Sequence, residues 1–339
     1  MDKKKTVTIR EIANEVGVSK TTISRFLNKS GYVDVDTANK IEAVINKFEY
    51  KPSITAQSLK TKKSRTILLV VPDICNPFYS TIVRIVQSIA KDRGYMIMLY
   101  NTNENILEEM EAVKSAADIN AAGFVLWSIQ LKSEIIAEMN KNNIPAVLAN
   151  SYDGCPFDTV HGLKGEGTYL ATKHLIELGH TKIAFAGGAR ESTVAEKRKY
   201  GYVKAMEEAG IKLNNDYCFE MGFSEDAGYK FGRYFVTLNP RPTAICCAND
   251  LIALGTISAF NEFNIKVPDD VSITGMDNIV FTNTSRPRLT TVDMNSDEIG
   301  INVMNLLLDR IEGRYTGSSR EIIVNRKLII RDSTREMRE

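Results

Sequence analysis

Two rhythms divide the chain. Over the first fifty residues apolar side chains recur at three- and four-residue steps, the period of an α-helix. Ile12, Ala13 and Val16 make one face of a short helix, and Thr8 with Glu11 has capping-box spacing at its start. Gly17-Val18-Ser19 reads as a tight turn, with Gly17 free to take positive φ and Ser19 placed as the next cap. A second helix, about 20–28, turns Ile23, Phe26 and Leu27 inward and leaves Thr21, Ser24, Arg25 and Asn28 on the opposite side. Lys20 stands at its leading edge. A third helix, capped near Asp34, buries Ile41, Val44, Ile45 and Phe48. From Thr66 the rhythm changes to short apolar runs alternating with amphipathic helices. Strands are expected at 67–71, 96–100, 124–127 and 146–149, with helices near 78–93, 107–119 and 133–142. A second series places strands at 182–186, 218–221, 244–247 and 271–274, with helices near 165–178, 195–209, 226–238 and 252–263. This alternation implies parallel sheets, and two series of similar length imply two Rossmann-like lobes. Toward the end, 289–293 is expected to lead back into the first lobe, followed by a helix at 297–312. A strand at 322–330 then returns to the second lobe. Crossings near Gly162, Thr291 and Ile322 would form a hinge between the lobes.

Charge adds a direction to this division. The net charge is only +1, yet residues 1–65 hold 14 Lys and Arg against 7 Asp and Glu. A basic head on a mildly acidic body points to a nucleic-acid-binding module joined to one that does not bind nucleic acid. Helix, glycine-containing turn and helix, with short polar and basic side chains facing out of the second, is helix-turn-helix geometry, and that second helix would lie in the major groove of double-stranded DNA. Lys20 and Thr21 are the first candidates for base contacts. Thr8, Ser19, Thr22, Ser24, Arg25 and Asn28 are candidates for phosphates or a further base edge. In the body, ligands of doubly wound sheets bind beyond the C-terminal strand ends. Asn76 and Phe78 follow the first strand, and Trp127 and Asn150 end later ones. Arg198, Phe223, Asn249 and Asp277 hold corresponding places in the second lobe. Bidentate donors and acceptors beside aromatic walls suit a sugar.

Particular motifs sharpen the picture. Thr8-Ile9-Arg10-Glu11-Ile12-Ala13, Ala13-Asn14-Glu15-Val16-Gly17-Val18-Ser19 and Thr22-Ile23-Ser24-Arg25-Phe26-Leu27-Asn28 resemble the headpiece of the lactose-repressor (LacI/GalR) family. Tyr50-Lys51-Pro52-Ser53 and Ala56-Gln57-Ser58-Leu59 resemble its hinge helix. The resemblance implies a headpiece over 1–51, a hinge over 52–65 and a periplasmic-binding-protein-like body over 66–339. Its first lobe would take 66–162 and 292–321, and its second 163–291 and 322–339. It also implies that Leu59 wedges into the minor groove, where a small Ala56 permits close approach; Asn is usual where Ser53 stands. Arg198-Lys199-Tyr200-Gly201-Tyr202, Ala248-Asn249-Asp250-Leu251 and Gly275-Met276-Asp277 match the family's effector signatures, which implies ligand contacts for Arg198, Asn249 and Asp277. Phe223 matches a position where an aromatic ring stacks on ligand. His174-Leu175-Ile176-Glu177-Leu178-Gly179-His180 is a structural hallmark of the family. The chain departs from the pattern at His161-Gly162, where Asp-Asn is usual, and at Asn150, where an acid often sits.

The function implied is a repressor whose operator affinity is set by a small molecule, a sugar, bound between the lobes. It would act as a homodimer on a pseudopalindrome. The alternative within the family is a global catabolite regulator whose co-effector is a phosphorylated carrier protein. Enzymes have little support: Ala186-Gly187-Gly188-Ala189 is no dinucleotide fingerprint, no P-loop occurs, and the three histidines lack metal spacing. No cofactor or metal is expected. No run approaches the ~18 apolar residues of a membrane span, and neither a secretory signal nor a leucine-heptad tetramerisation helix is read. Five cysteines without a CxxC pair suggest reduced thiols and a cytoplasmic location, at the nucleoid.

Overall fold

The computed structural model describes residues 7–48 except 29, then 50, 64–152 and 154–337, of which only the backbone is described at Asn28. The chain forms two compact units, Met1–Ser64 and Arg65–Glu339.

The first unit is a three-helix head: α1 (Ile9–Val16), α2 (Lys20–Asn28) and α3 (Val35–Lys47). Its fully buried centre is small, made of Ile12, Ala13, Ile23 and Ile41, one or two from each helix. Val16, Phe26, Leu27, Val44 and Ile45 pack around it half-buried. Asp34 caps α3 by accepting the Thr37 N–H at 3.2 Å.

The second unit is two α/β lobes. The first lobe contributes β1 (Thr66–Val71), α4 (Pro77–Asp92), β2 (Met96–Asn101), α5 (Ile106–Asp118), β3 (Gly123–Leu126), α6 (Ser133–Asn142), β4 (Ala146–Leu148) and β5 (Asp158–His161). The second contributes α7 (Glu166–Glu177), β6 (Ile183–Gly187), α8 (Thr193–Glu208), β7 (Cys218–Glu220), α9 (Glu225–Phe235), β8 (Ala244–Cys247), α10 (Asp250–Glu262), β9 (Ser272–Asp277) and β10 (Thr290–Asp293). The chain closes with α11 (Ser296–Ile311), β11 (Glu321–Ile323) and β12 (Lys327–Ile329). One sheet runs β11-β5-β4-β3-β1-β2, all parallel; the other runs β12-β10-β9-β8-β6-β7, parallel except for the β10–β12 pair. In β1, Ile67, Leu69 and Val71 face one apolar cluster while Leu68 and Val70 face another. Helices therefore cover both faces, and the strand reads as an unbroken apolar run.

The crossings differ from expectation in two places. Thr290–Asp293 is a strand of the second sheet, paired with β9, so the return to the first lobe comes only after Asp293. The strand expected over 322–330 is two strands: β11 stays in the first sheet beside β5, and only β12 joins the second. The break falls at Asn325-Arg326, between two short apolar runs that period alone joins. β5, with the polar sequence Asp-Thr-Val-His, has no strand signal.

Candidate functional site

In the head, sequence-local caps hold α1 and α2. The Glu11 N–H donates to Thr8 Oγ1 at 3.3 Å and the Thr8 N–H donates to Glu11 Oε2 at 2.7 Å. Gly17, at φ 79°, ends α1, and Ser19 Oγ accepts the Thr22 N–H at 3.1 Å. The Thr8, Ser19 and Thr22 hydroxyls are thus engaged in starting helices. Lys20, Thr21 and Arg25 are exposed on α2, and Thr22 and Ser24 are half-buried. The side chain of Asn28, and Ser53, Ala56 and Leu59, lie outside the described residues.

In the body, an open cleft lies between the lobes. Phe78, Trp127, Asn150 and Arg198 line it. Asn76 stands behind Phe78 and caps α4, accepting the Phe78 N–H at 3.0 Å. Asn150 Oδ1 accepts the Ser128 N–H at 2.9 Å, which fixes the rim that carries Trp127. Arg198 is placed by its own motif: a Cβ on Gly201 would sit 1.9 Å from Gly165 O, so only glycine lets α8 pass this close to the start of α7. The Arg198 carbonyl accepts the Thr168 hydroxyl, pinning the same contact.

Phe223, Asn249 and Asp277 form a second tier behind Arg198 rather than lining the cleft. The guanidinium lies 5.2 Å from the Phe223 ring centre, donates to Ala248 O at 2.6 Å, and is 3.5 Å from Asp277 Oδ1. Gly188 makes room for that ring, since a Cβ there would come within 2.2 Å of it. Asn249 is 1% exposed: its Oδ1 accepts the Ile252 N–H at 2.8 Å as cap of α10, and its Nδ2 donates to Phe223 O at 2.7 Å. Asp250 ties the start of α10 to β10 and its approach, accepting from Thr291 Oγ1 at 2.6 Å and the Ile279 N–H at 2.9 Å. Burial lifts the Asp277 carboxyl to about 6, against the opposing pull of Arg198 and Arg326.

Three further cleft residues carry no signal of their own in the sequence. Lys197 reaches across the lobes to Ser151, donating to its carbonyl at 2.8 Å and its hydroxyl at 2.6 Å. Beside it, Ser192 and Thr193 donate to Ile129 O at 2.9 and 3.2 Å. Glu166 and Arg326 also line the cleft. Away from it, His174 and His180 hold the C-terminal segment to the second sheet through Thr334 and the Arg335 carbonyl, and burial keeps both rings below the usual histidine range.

Comparisons agree with this geometry. Residues 8–53 match the family described as bacterial regulatory proteins, lacI family, and residues 172–334 match the periplasmic binding protein-like domain. The HTH-type transcriptional repressor PurR of Photobacterium profundum is 30% identical over 332 residues, 97% of this chain and 99% of that protein. The HTH-type transcriptional repressor CytR of Escherichia coli (strain K12) is 33% identical over 331 residues, 97% of each chain. The crystal structure of the lac repressor dimer bound to operator and the anti-inducer ONPF superposes with a TM-score of 0.87 at 25% identity, covering 98% of this chain and 100% of that one. Among the described residues no helix is long and apolar enough to cross a membrane. The chain belongs to the lacI family of bacterial regulatory proteins, a helix-turn-helix head on a two-lobed periplasmic-binding-protein-like body, and is a DNA-binding transcriptional repressor rather than an enzyme.

Proposed function

We propose that this repressor binds a pseudopalindromic operator as a homodimer, in the cytoplasm at the nucleoid, and that a small molecule in the interlobe cleft, a sugar or a sugar-like polyol, sets its operator affinity. The observation that carries the reading is the cleft itself: aromatic walls of Phe78 and Trp127 face Arg198, and Asp277 holds that guanidinium from behind. Such a site grips a hydroxylated ring and touches both lobes at once, so its occupant can favour one degree of closure by differential affinity. The polar groups face inward between the lobes, which favours a small molecule over a carrier protein as effector. The lac repressor structure, with operator and anti-inducer in one complex, supports the same division of labour.

In the head, Lys20 and Thr21 read base edges in the major groove. Thr8, Ser19, Thr22, Ser24, Arg25 and Asn28 hold phosphates or a further edge, and Ser53, Ala56 and Leu59 serve the minor groove as a hinge. Selection of bound duplexes from a random pool by the full-length chain should yield two inverted half-sites. Thr21→Ala and Lys20→Ala should each relax the preference at one position per half-site, by roughly 5–150-fold. Weaker binding to all sequences with unchanged preference would assign these side chains to the backbone instead.

Dimerisation is supported by exposed apolar side chains on both lobes: Met96, Met98 and Leu99 on the edge strand β2, and Val280 and Phe281 after β9. Edge strands with such residues call for a cover. Met98→Glu combined with Phe281→Asp should sediment as a monomer and lose tight operator binding, because one head reaches only one half-site. A dimer persisting in the double variant would place the interface elsewhere.

A further inference from the structure

The cleft is charged in a way that a neutral sugar does not answer. Arg198 and Arg326 both line it, but only Arg198 has a carboxylate partner, Asp277 at 3.5 Å. Arg326 donates one hydrogen bond, to the Met294 carbonyl, and forms no ion pair among the described residues. A guanidinium has five N–H donors in a planar fork, so most of this one is unspent. Burial brings the Arg326 guanidinium down to about 10, with the Glu166, Asp277 and Asp293 carboxylates pulling the other way and Arg198 adding to the fall.

The place of Arg326 is made by glycine. A Cβ on Gly162 would lie 2.5 Å from Arg326 Nε and 2.8 Å from Cζ, so the guanidinium lies against bare backbone. Gly162 is at the first crossing between the lobes, Met294 at the second, and Arg326 itself at the third. One cation thus touches all three strands of the hinge and faces the cleft. Nearby, Glu166 Oε2 is buried without a hydrogen-bond partner and is placed to accept a hydroxyl.

We infer that the effector is an anionic hydroxylated molecule whose phosphate or carboxylate seats on the fork of Arg326 beside Arg198. This rests on the reading of the cleft as the effector site. A planar fork meeting two anionic oxygens is the strong form of charge-assisted hydrogen bonding, and in a half-buried cleft it replaces an unpaired cation with a paired one. Because Arg326 bridges the three crossings, the anion also bears directly on lobe closure.

Trp127 is the chain's single tryptophan and lines the cleft, so its fluorescence reports occupancy. Full-length protein is titrated at constant ionic strength with inorganic phosphate, and then with pairs differing in charge: ribose and ribose 5-phosphate, glucose and glucose 6-phosphate, glucose and glucuronate, adenosine and its monophosphate. Phosphate should give a saturable change, and in any pair that binds the anionic member should bind ~10–100-fold more tightly. Arg326→Gln should erase that preference. Arg326→Lys should keep part of it, and Gly162→Ala, which removes no charge but displaces the guanidinium, should also reduce it. Thermal melts of each variant separate lost binding from lost folding. Neutral members binding as tightly as their anionic partners, or a preference untouched by Arg326→Gln in a folded protein, would overturn the inference while leaving the effector cleft standing. Silence from every titrant, neutral and charged, would count against both.

Discussion

Replacing Arg198 by alanine is expected to abolish the effector response while leaving effector-free operator binding within a few-fold of the parent. The guanidinium lines the cleft and also grips its second tier, through Ala248 O at 2.6 Å and Asp277 at 3.5 Å. Losing charge-assisted bonds to a bound molecule costs about 1.5–3 kcal/mol each, so effector affinity should fall by ~100-fold or more. Asp277 is left buried without its main counter-charge. Its carboxyl already stands near 6, and without Arg198 it rises further and takes up a proton, which limits the loss of stability. Effector binding by calorimetry and operator binding by anisotropy, each on parent and variant, separate the two functions. Operator binding lost in the absence of effector would make Arg198 a structural residue of the body.

The largest effect on stability is expected at Asp158. Its carboxylate is wholly buried at the start of β5 and is held by two arginines. Arg310 of α11 donates at 3.0 and 2.7 Å, and Arg320, just before β11, donates through Nη2 at 2.8 Å and its backbone N–H at 2.8 Å. Both guanidinia stack on Tyr315, at 4.6 and 4.1 Å from its ring centre. Burial alone would raise Asp158, but the bonds from Arg310 and Arg320 hold it below the usual carboxylate range. A depressed folded-state value contributes stability that is present above the unfolded value of 3.8 and lost as pH falls through the folded one. Asp158→Asn keeps the shape and removes the charge. Breaking one side of such a buried pair costs about 3–5 kcal/mol, or roughly 6–20 °C in the melting temperature of a body this size. Calorimetry at pH 7 should show that drop, and the gap between parent and variant should narrow toward pH 3. A gap that does not change with pH would mean that packing rather than charge carries the effect.

How much of this was legible in the sequence follows from how local each signal is. α2, α6 and β8 fall at their expected bounds, Lys20–Asn28, Ser133–Asn142 and Ala244–Cys247, because the pattern of apolar positions that marks them is local. β9, expected over 271–274, runs on through Gly275-Met276-Asp277, so the strand itself carries Asp277 at its end. The polar β5 and the split between β11 and β12 were hidden because they are made by pairing across 160 residues, not by local period. The cleft was legible in part. Phe78, Trp127, Asn150 and Arg198 line it, as strand-end positions in doubly wound lobes suggest. Asn249 has the chemistry of a ligand contact, but an Asn directly before Asp250-Leu251-Ile252 also has the form of a helix cap, the role its Oδ1 fills. Lys197, Glu166 and Arg326 come together only through the fold. The one local hint was Gly162, a glycine where a side chain is usual, and the structure fills that space with Arg326.

The central claim is that occupancy of the cleft and affinity for operator are coupled. It is tested most directly by titrating a compound that saturates the Trp127 signal into the complex of the full-length chain with its selected operator, and reading operator affinity at each step. Coupling of the usual size would change that affinity by ~5–150-fold at saturation, in either direction, and the change should vanish in Arg198→Ala. An operator affinity that stays constant while the cleft fills would contradict it.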